Sequence, residues 1–401
     1  MKQILKRIIS PQIIASVRIL GKDIKRIIRN ERKIQTCYSL RTFSDKFSDT
    51  FFGYYDISPF NSKDEVLYIE KEESEDIVRI VLNNIDDTNK RIVAKSKAWN
   101  WQQGSRLRWM PGSDSVLSFN DFDGVQYFNR IIDTETGNER RINWPLYDID
   151  HTAKLGLSLN FERLGKLRPG YGYTCRAYFQ DTNALADEGI LIIDLEKNIV
   201  ERKITYNDIK TKCNDNEELD NYYINHLAFS PSGQKFLFFW IHIIDGYHKA
   251  SLIVYDIKMD RIIPLELEMK ASHYVWQDDD TIICTSYDNQ GDCRYYKYHI
   301  SDRSKQEICP NSLRVDGHPS FYKTTDILLT DTYPDMLYFQ HLYLVDIAED
   351  VKKEILKIYS DPRVRGERRT DLHPRFNRDK SCIAFDANVT NHRHFYIISL
   401  K

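Results

Sequence analysis

Four histidines stand at matching places in four successive segments: Asn-His226-Leu-Ala-Phe-Ser, Ser-His273-Tyr-Val-Trp-Gln, Gly-His318-Pro-Ser-Phe-Tyr and Leu-His373-Pro-Arg-Phe-Asn. They lie 47, 45 and 55 residues apart, the period of a β-propeller blade. The first strand of each blade lines a central channel, so residues at its start converge around the axis. The spacing therefore predicts a histidine ring at one mouth of the channel. Neutral imidazoles there can exchange protons or bind a borderline divalent cation such as Mn, Zn or Ni. Hard Mg or Ca would ask for more carboxylates. A lone inner-strand histidine more often bonds to the neighbouring blade's backbone, but four in one phase favour a shared site. The other seven (His151, His242, His248, His299, His341, His392, His394) lack that phase and read as structural or surface residues. Oxygen donors near the same inner strands are Gln102, Gln103, Asp56 and Asp148, with Tyr54, Asp56 and Gln103 taken as substrate contacts.

A second constellation is cationic and aromatic. Asn160-Phe-Glu-Arg163-Leu-Gly-Lys166-Leu-Arg168-Pro-Gly-Tyr171-Gly-Tyr173 sets Arg163 and Arg168 beside glycine-rich turns and two tyrosines, and Arg368 and Arg369 precede His373. Guanidinium forks suit carboxylates and aromatic faces suit sugar rings, so Arg163, Arg168, Arg369, Tyr171 and Tyr173 are the composition of an acidic-sugar site. Charged loops are also common as plain solvated surface. Asn100-Trp-Gln-Gln-Gly104, Phe119-Asn-Asp121 and Asp331-Thr-Tyr-Pro-Asp335 are weaker polar signals, because Asn and Asp also simply make turns.

Phosphate-binding glycine motifs, a nucleophile elbow and a Cys-x-x-Cys ribbon do not occur in a suitable context, so nucleotide-dependent and α/β-hydrolase chemistry is disfavoured and no nucleotide cofactor is expected. Charge is uneven along the 401 residues. Residues 1–33 hold ten Lys/Arg against Asp23 and Glu31, a net of +8, which leaves the rest at −10 and argues against nucleic-acid binding by the main body. The seven cysteines have no paired short spacing and read as reduced, buried thiols of a cytoplasmic protein. Neither a secretory signal nor a transmembrane stretch is recognisable.

These residues need a scaffold, and two kinds of periodicity supply it. Residues 1–34 read as a basic helical segment starting near Ser10-Pro11, with Ile13, Ile14, Val17, Leu20, Ile24, Ile27 and Ile28 on one stripe. That stripe suits an anionic cytoplasmic leaflet, the outside of the propeller, or a partner helix. Residues 35–401 alternate short apolar runs with Asp/Asn/Ser/Gly turns, giving an all-β chain of about seven blades. The blade unit is clearest at His226 to Glu266, and third strands recur at Ile-Ile-Asp133, Ile-Ile-Asp194, Val-Tyr-Asp256 and Leu-Val-Asp346. The last blade runs out after three strands, so one strand from Gln35 to Phe43 is expected to complete it and close the ring. Asn207 to Asn221 reads as a surface loop.

Seven blades of TolB-like grammar, with histidines at inner-strand starts and His373-Pro374 in the last, resemble the oligogalacturonate lyases. The Tyr54-Tyr55-Asp56, Trp101-Gln-Gln-Gly104 and Arg168-Pro-Gly-Tyr-Gly-Tyr173 segments also look like propellers encoded with bacterial capsule and surface-polysaccharide biosynthesis. The lyase resemblance implies a Mn-type metal on histidines and a glutamine, with a Gln-x-x-His-x-His cluster in the last blade. Here that stretch is Arg368-Arg-Thr-Asp371-Leu-His373, so only its final histidine is kept; Asp371 can replace a ligand, but a guanidinium has no lone pair to give. The implied metal set is His318, His373, Asp371 and His273. The implied reaction is β-elimination at a uronate of an acidic oligo- or polysaccharide, with His226 or His273 as base and Arg163 and Arg168 on the acid group. Two other readings stay open: a noncatalytic glycan-binding scaffold of surface-polysaccharide assembly, peripheral on the inner membrane face, and a glycosidase or transferase using a carboxylate pair such as Asp56 and Asp148.

Overall fold

The computed structural model describes residues 11–29, 31–44, 48–72, 76–176, 185–268, 270–288, 290–321 and 326–401. Seven antiparallel sheets follow one another along the chain as the blades of a propeller. Blade 1 spans Ser48–Ser96, blade 2 Arg108–Ile142, blade 3 Asp148–Thr205, blade 4 Tyr222–Glu266, blade 5 Ala271–Ile308, blade 6 Ser320–Tyr359 and blade 7 Arg375–Ser399. Inner and middle strands are buried on both faces between neighbouring blades, which is why they read as apolar runs: all eight residues of Tyr222–Phe229 are buried.

Closure differs from a single added strand. Ile34–Gln35 pairs with the outer strand of blade 6, whereas Ser39–Phe43 pairs with His394–Ser399 and gives blade 7 its fourth strand. The N-terminal segment thus fastens two blades, and the edge that blade 7 would expose is covered. Asn207 to Asn221 is more ordered than a loop. Thr205 and Asp208 form a capping box that starts a helix at Tyr206–Lys212, and a short 3-10 turn follows at Leu219–Asn221. Four cysteines are buried, but Cys37 and Cys175 are exposed; all seven are unpaired thiols.

Two further helices matter for function. Helix α1 (Pro11–Ile28) lies outside the barrel of blades. Helix α2 (Phe161–Leu167) is inserted after the second strand of blade 3; the Asn160 side chain caps it, accepting from the N–H groups of Glu162 and Arg163. Its return turn packs so tightly that a Cβ on Gly172 would stand 2.1 Å from the Gly165 nitrogen, so this turn needs glycine.

Candidate functional site

The inner strands do not run straight past the axis. In blade 4 the pairing breaks between Asn225 and Ala228, and in blade 5 between Ala271 and Tyr274. His226 and His273 sit in these bulges, and His226 and His373 both take positive φ, 58° and 47°. A bulge turns a residue out of the strand's alternation, which here aims the imidazoles at the axis. All four are buried, so they lie below the mouth of the channel and not on its rim. Their rings form an arc: His226 to His273 is 6.5 Å between centroids, His273 to His318 4.1 Å and His318 to His373 4.4 Å.

Blade 1 supplies the plug on which the arc rests. Its inner strand pairs Phe51 with Ile69, then leaves the sheet until Phe60 meets Val66. The excursion carries Tyr54 and Tyr55 across the channel. The Tyr55 hydroxyl donates to the Tyr274 carbonyl at 2.8 Å and accepts from the Tyr274 N–H at 2.9 Å, joining blade 1 to blade 5. Tyr54 stacks on His226 at 5.0 Å and meets His373 edge-on at 4.6 Å. Burial pushes its phenol far up, and its hydroxyl has no partner among the described residues. Tyr54 is therefore part of the floor.

Each of three histidines has its Nδ1 proton fixed by an acceptor. His273 Nδ1 donates to Asp316 at 3.0 Å, His318 Nδ1 to Asp331 at 2.8 Å and His373 Nδ1 to the Gly53 carbonyl at 2.9 Å. In the neutral ring Nε2 then carries the lone pair in each. Asp331 also accepts from the backbone N–H groups of His318 and His373, so one carboxylate sets two of the ligand-bearing segments. His226 differs: the Asn225 amide meets its Nε2 at 3.3 Å, while Nδ1 is buried without a partner among the described residues. Burial holds His226 and His373 well below the ordinary imidazole range, and burial with the adjacent His318 ring also lowers His273. His318 is raised instead: burial opposes its charge, but Asp331, Asp371 and Asp316 outweigh it. Against burial, His273 and the Ser272 hydroxyl hold the Asp316 carboxyl well below the usual range.

His318, Asp371 and His373 form the group that can hold a metal, with ligand atoms within 4.8 Å of one another. His373 Nε2 is buried and unpartnered among the described residues, as a vacant ligand atom would be. Arg369 is the opposing feature. Its guanidinium donates to both oxygens of Asp371, Nε to Oδ1 at 3.1 Å and Nη2 to Oδ2 at 2.7 Å, and with burial working the other way it keeps that carboxylate ionised. His273 packs on His318 but lies outside the trio.

Over the His226–His273 half of the arc lies a cavity of about 110 Å³ lined by Arg168, Tyr171, His226, His248, His273 and Tyr333 among others. A cleft of about 440 Å³ between Gln102, Arg168, Tyr171, Glu367 and Arg369 shares Arg168 and Tyr171 with it. The inner cavity has room for a carboxylate or roughly three to four waters, and the outer cleft opens to solvent. Arg168 lies over the Tyr171 ring at 5.2 Å, and Tyr171 accepts from Arg369 at 3.3 Å, so both arginines border the passage.

Several expected site residues stand elsewhere. Arg163 is fully buried in α2 and spends its guanidinium on the carbonyls of Leu219, Asp220 and Tyr222, so it cannot meet a substrate. Tyr173 stacks on Phe161 at 4.5 Å and its hydroxyl accepts from Asn120, which makes it a packing residue. Gln103 is buried and donates to Tyr147 and Asn225 beneath the arc. Asp56 is held bidentate by Arg106, at 3.2 and 2.7 Å, and Asp148 accepts from Arg108 at 2.6 Å. Both line a funnel at the opposite end of the inner strands, so neither reaches the histidines. Arg368 reaches the Asn391 carbonyl and the Trp101 ring instead of the metal trio.

Two further residues contribute: His248, which the sequence placed among structural or surface residues, and Asp316, which it did not single out. His248 lines the inner cavity with its Nδ1 2.9 Å from the Tyr223 hydroxyl, and Asp316 orients His273. A signal for Asp316 existed. Asp316-Gly-His318 and Asp371-Leu-His373 share an offset, and each aspartate reaches back to the preceding blade's histidine.

No family model matches this chain, and no curated protein matches it. Solved structures do resemble it in fold. Oligogalacturonate lyase from Vibrio parahaemolyticus superposes with a TM-score of 0.63 at 12% identity, over 92% of this chain and 98% of the lyase. An oligogalacturonate lyase in complex with manganese gives 0.64 at 12% identity with the same coverage. The propeller domain of the trilobed protease from Pyrococcus furiosus gives 0.53 at 11%, over 90% of this chain and 97% of that one. At such identities the likeness establishes a seven-bladed propeller and no activity.

Proposed function

We propose that this chain is a glycan-active propeller that cleaves a uronic-acid-containing oligosaccharide by β-elimination. The observation that carries the reading is the Asp316–His273 pair, which presents a neutral Nε2 lone pair to a cavity walled by Arg168. The lyase fold neighbours make a uronate the natural ligand of that arginine. In the reaction, His273 Nε2 removes the C5 proton and the electron pair forms the C4–C5 double bond. The C4–O bond breaks, and the departing oxygen takes a proton from water in the open cleft. Arg168 neutralises the carboxylate and stabilises the charge that develops on it, and Asp316 stabilises the imidazolium that forms. The manganese-bound neighbour and the unpartnered His373 Nε2 together favour a divalent transition metal on His318, His373 and Asp371. When bound it would act as a Lewis acid toward the uronate carboxylate.

A second reading has a specific observation behind it. Arg369 already occupies Asp371 with a positive charge, which weakens the trio as a metal site and suits an acidic-glycan binder of surface-polysaccharide assembly. One experiment separates the two: metal analysis of the purified chain, with ultraviolet absorbance followed during incubation with uronic-acid oligosaccharides. Rising absorbance from the unsaturated product supports the lyase. Saturable glycan binding with flat absorbance, in metal-free and Mn-supplemented protein alike, would sink it.

A further inference from the structure

The other unassigned feature is helix α1, which presents the wrong face to the propeller for a helix held by apolar packing. Its partly covered side is Ala15, Ile19, Lys22, Asp23 and Arg26. Those contacts are mainly polar: the Tyr359 hydroxyl donates to Asp23 at 3.0 Å, Arg26 lies over the Tyr359 ring at 5.0 Å, and Lys22 lies over the Tyr338 ring at 4.2 Å. Just beyond the helix, Glu31 pairs with Lys357. Val17, Leu20, Ile24, Ile27 and Ile28, spaced three and four apart, are left 48–77% exposed on the outward side. Ile13 and Ile14, expected on the same stripe, have side chains outside the described ones.

An exposed row of five large aliphatic residues marks an interaction surface, because water-facing helices carry polar residues there. Charge identifies its occupant. Arg18, Lys25 and Arg29 are exposed beside the stripe, and residues 11–29 hold five basic residues against Asp23 alone. The remainder of the chain beyond residue 33 is net −10, so a second copy pairing helix to helix would set like charge against like on the helices and between the bodies. Among the described residues no helix is long and apolar enough to cross a membrane. We infer that α1 lies in the surface of an anionic bilayer, its aliphatic stripe in the acyl boundary and its basic flank against the headgroups.

The position of the helix gives this docking a direction. The loop after Asp331 carries Tyr333 to the His318 ring, 6.0 Å between centroids, and five residues later carries Tyr338 beneath Lys22. Helix and cleft therefore share one end of the propeller. Docking sets the cleft beside the lipid surface, whatever ligand the cleft takes.

The test is sedimentation of the full chain with phosphatidylcholine vesicles, with and without an equal part of phosphatidylglycerol. The expected result is pelleting with the mixed vesicles alone, reversed by high salt. Leu20→Ser/Ile24→Ser/Ile27→Ser should abolish pelleting while thermal melting stays unchanged, since all three side chains are solvent-exposed. Arg18→Gln/Lys25→Gln/Arg29→Gln should weaken partition roughly a hundredfold at low salt. Pelleting that survives the apolar triple variant, or none with either vesicle, overturns the inference. So does sedimentation velocity showing a dimer that the apolar variant dissolves without any vesicle binding.

Discussion

The two ends of the channel hold similar side chains in opposite states of pairing. At the funnel end Asp56 closes on Arg106 and Asp148 on Arg108, each carboxylate matched by a guanidinium. At the histidine end the carboxylates Asp316 and Asp331 are spent on orienting imidazoles, which leaves nitrogen lone pairs over. The funnel is the larger space, about 760 Å³ against 440 Å³ for the outer cleft, and it is still the less promising site. Charge pairs that satisfy one another stabilise a structure; unpaired donors and acceptors held rigidly in place are what a substrate or metal can use.

That contrast breaks most readily at His273. His273→Gln removes the base and should lower turnover by about 10²–10⁴, and Asp316→Asn should approach the same loss by releasing the tautomer. Both are read from the rate of product absorbance. Activity that survives both variants would show that the pairing pattern does not identify the site. Next in size is the funnel end. Asp56→Ala strands the buried Arg106 guanidinium and should cost about 3–5 kcal/mol of stability in chemical denaturation, with turnover per folded molecule unchanged. A fall in turnover without a fall in stability would mean the funnel holds the chemistry. The third sharpens the metal assignment. Asp331→Asn loosens the His318 ring and the His373 backbone together and should weaken Mn binding about 10–100-fold by calorimetric titration; unchanged affinity would remove that trio from consideration.

Much of this was legible from repetition. A blade contributes one inner strand per period, so four histidines in one phase had to face one axis, and the Asp-ended third strands marked the blades. The bulges were not legible, because the register breaks at His226 and His273 have no glycine or proline beside them, and His226 adopts positive φ all the same. Nor was the plug: Tyr54-Tyr55 read as an ordinary inner strand, and only the gap between Phe51 and Phe60 in the pairing shows that the chain crosses the channel. Asp56 lies one residue beyond Tyr55, but past the crossing it belongs to the opposite end. Residue type placed it among substrate contacts, and backbone path took it away.

Arg163 and Arg168 give the smallest and most discriminating version of the comparison, since sequence assigned both to the same carboxylate. Asn160 starts α2 so that Phe161 and Leu164 turn inward, and Arg163 goes with them into the interior. Arg168 ends the helix and stays half-buried at the cleft. Arg163→Ala deletes charge-assisted bonds to three carbonyls and should destabilise the chain by about 3 kcal/mol, seen as an earlier unfolding midpoint, with KM unaltered in the molecules that remain folded. Arg168→Ala should leave the midpoint in place and lower kcat/KM about tenfold, in kcat as well as KM, the equivalent of about 1.4 kcal/mol of lost contact to the uronate carboxylate and the charge that develops on it. Arg168→Lys should recover only part of that, because an ammonium keeps the charge but not the fork that grips a carboxylate. Equal shifts in stability for the two alanine variants would place Arg168 with Arg163 among the residues that hold blade 3 together, and the cleft would then have to find its anion-binding group in Arg369.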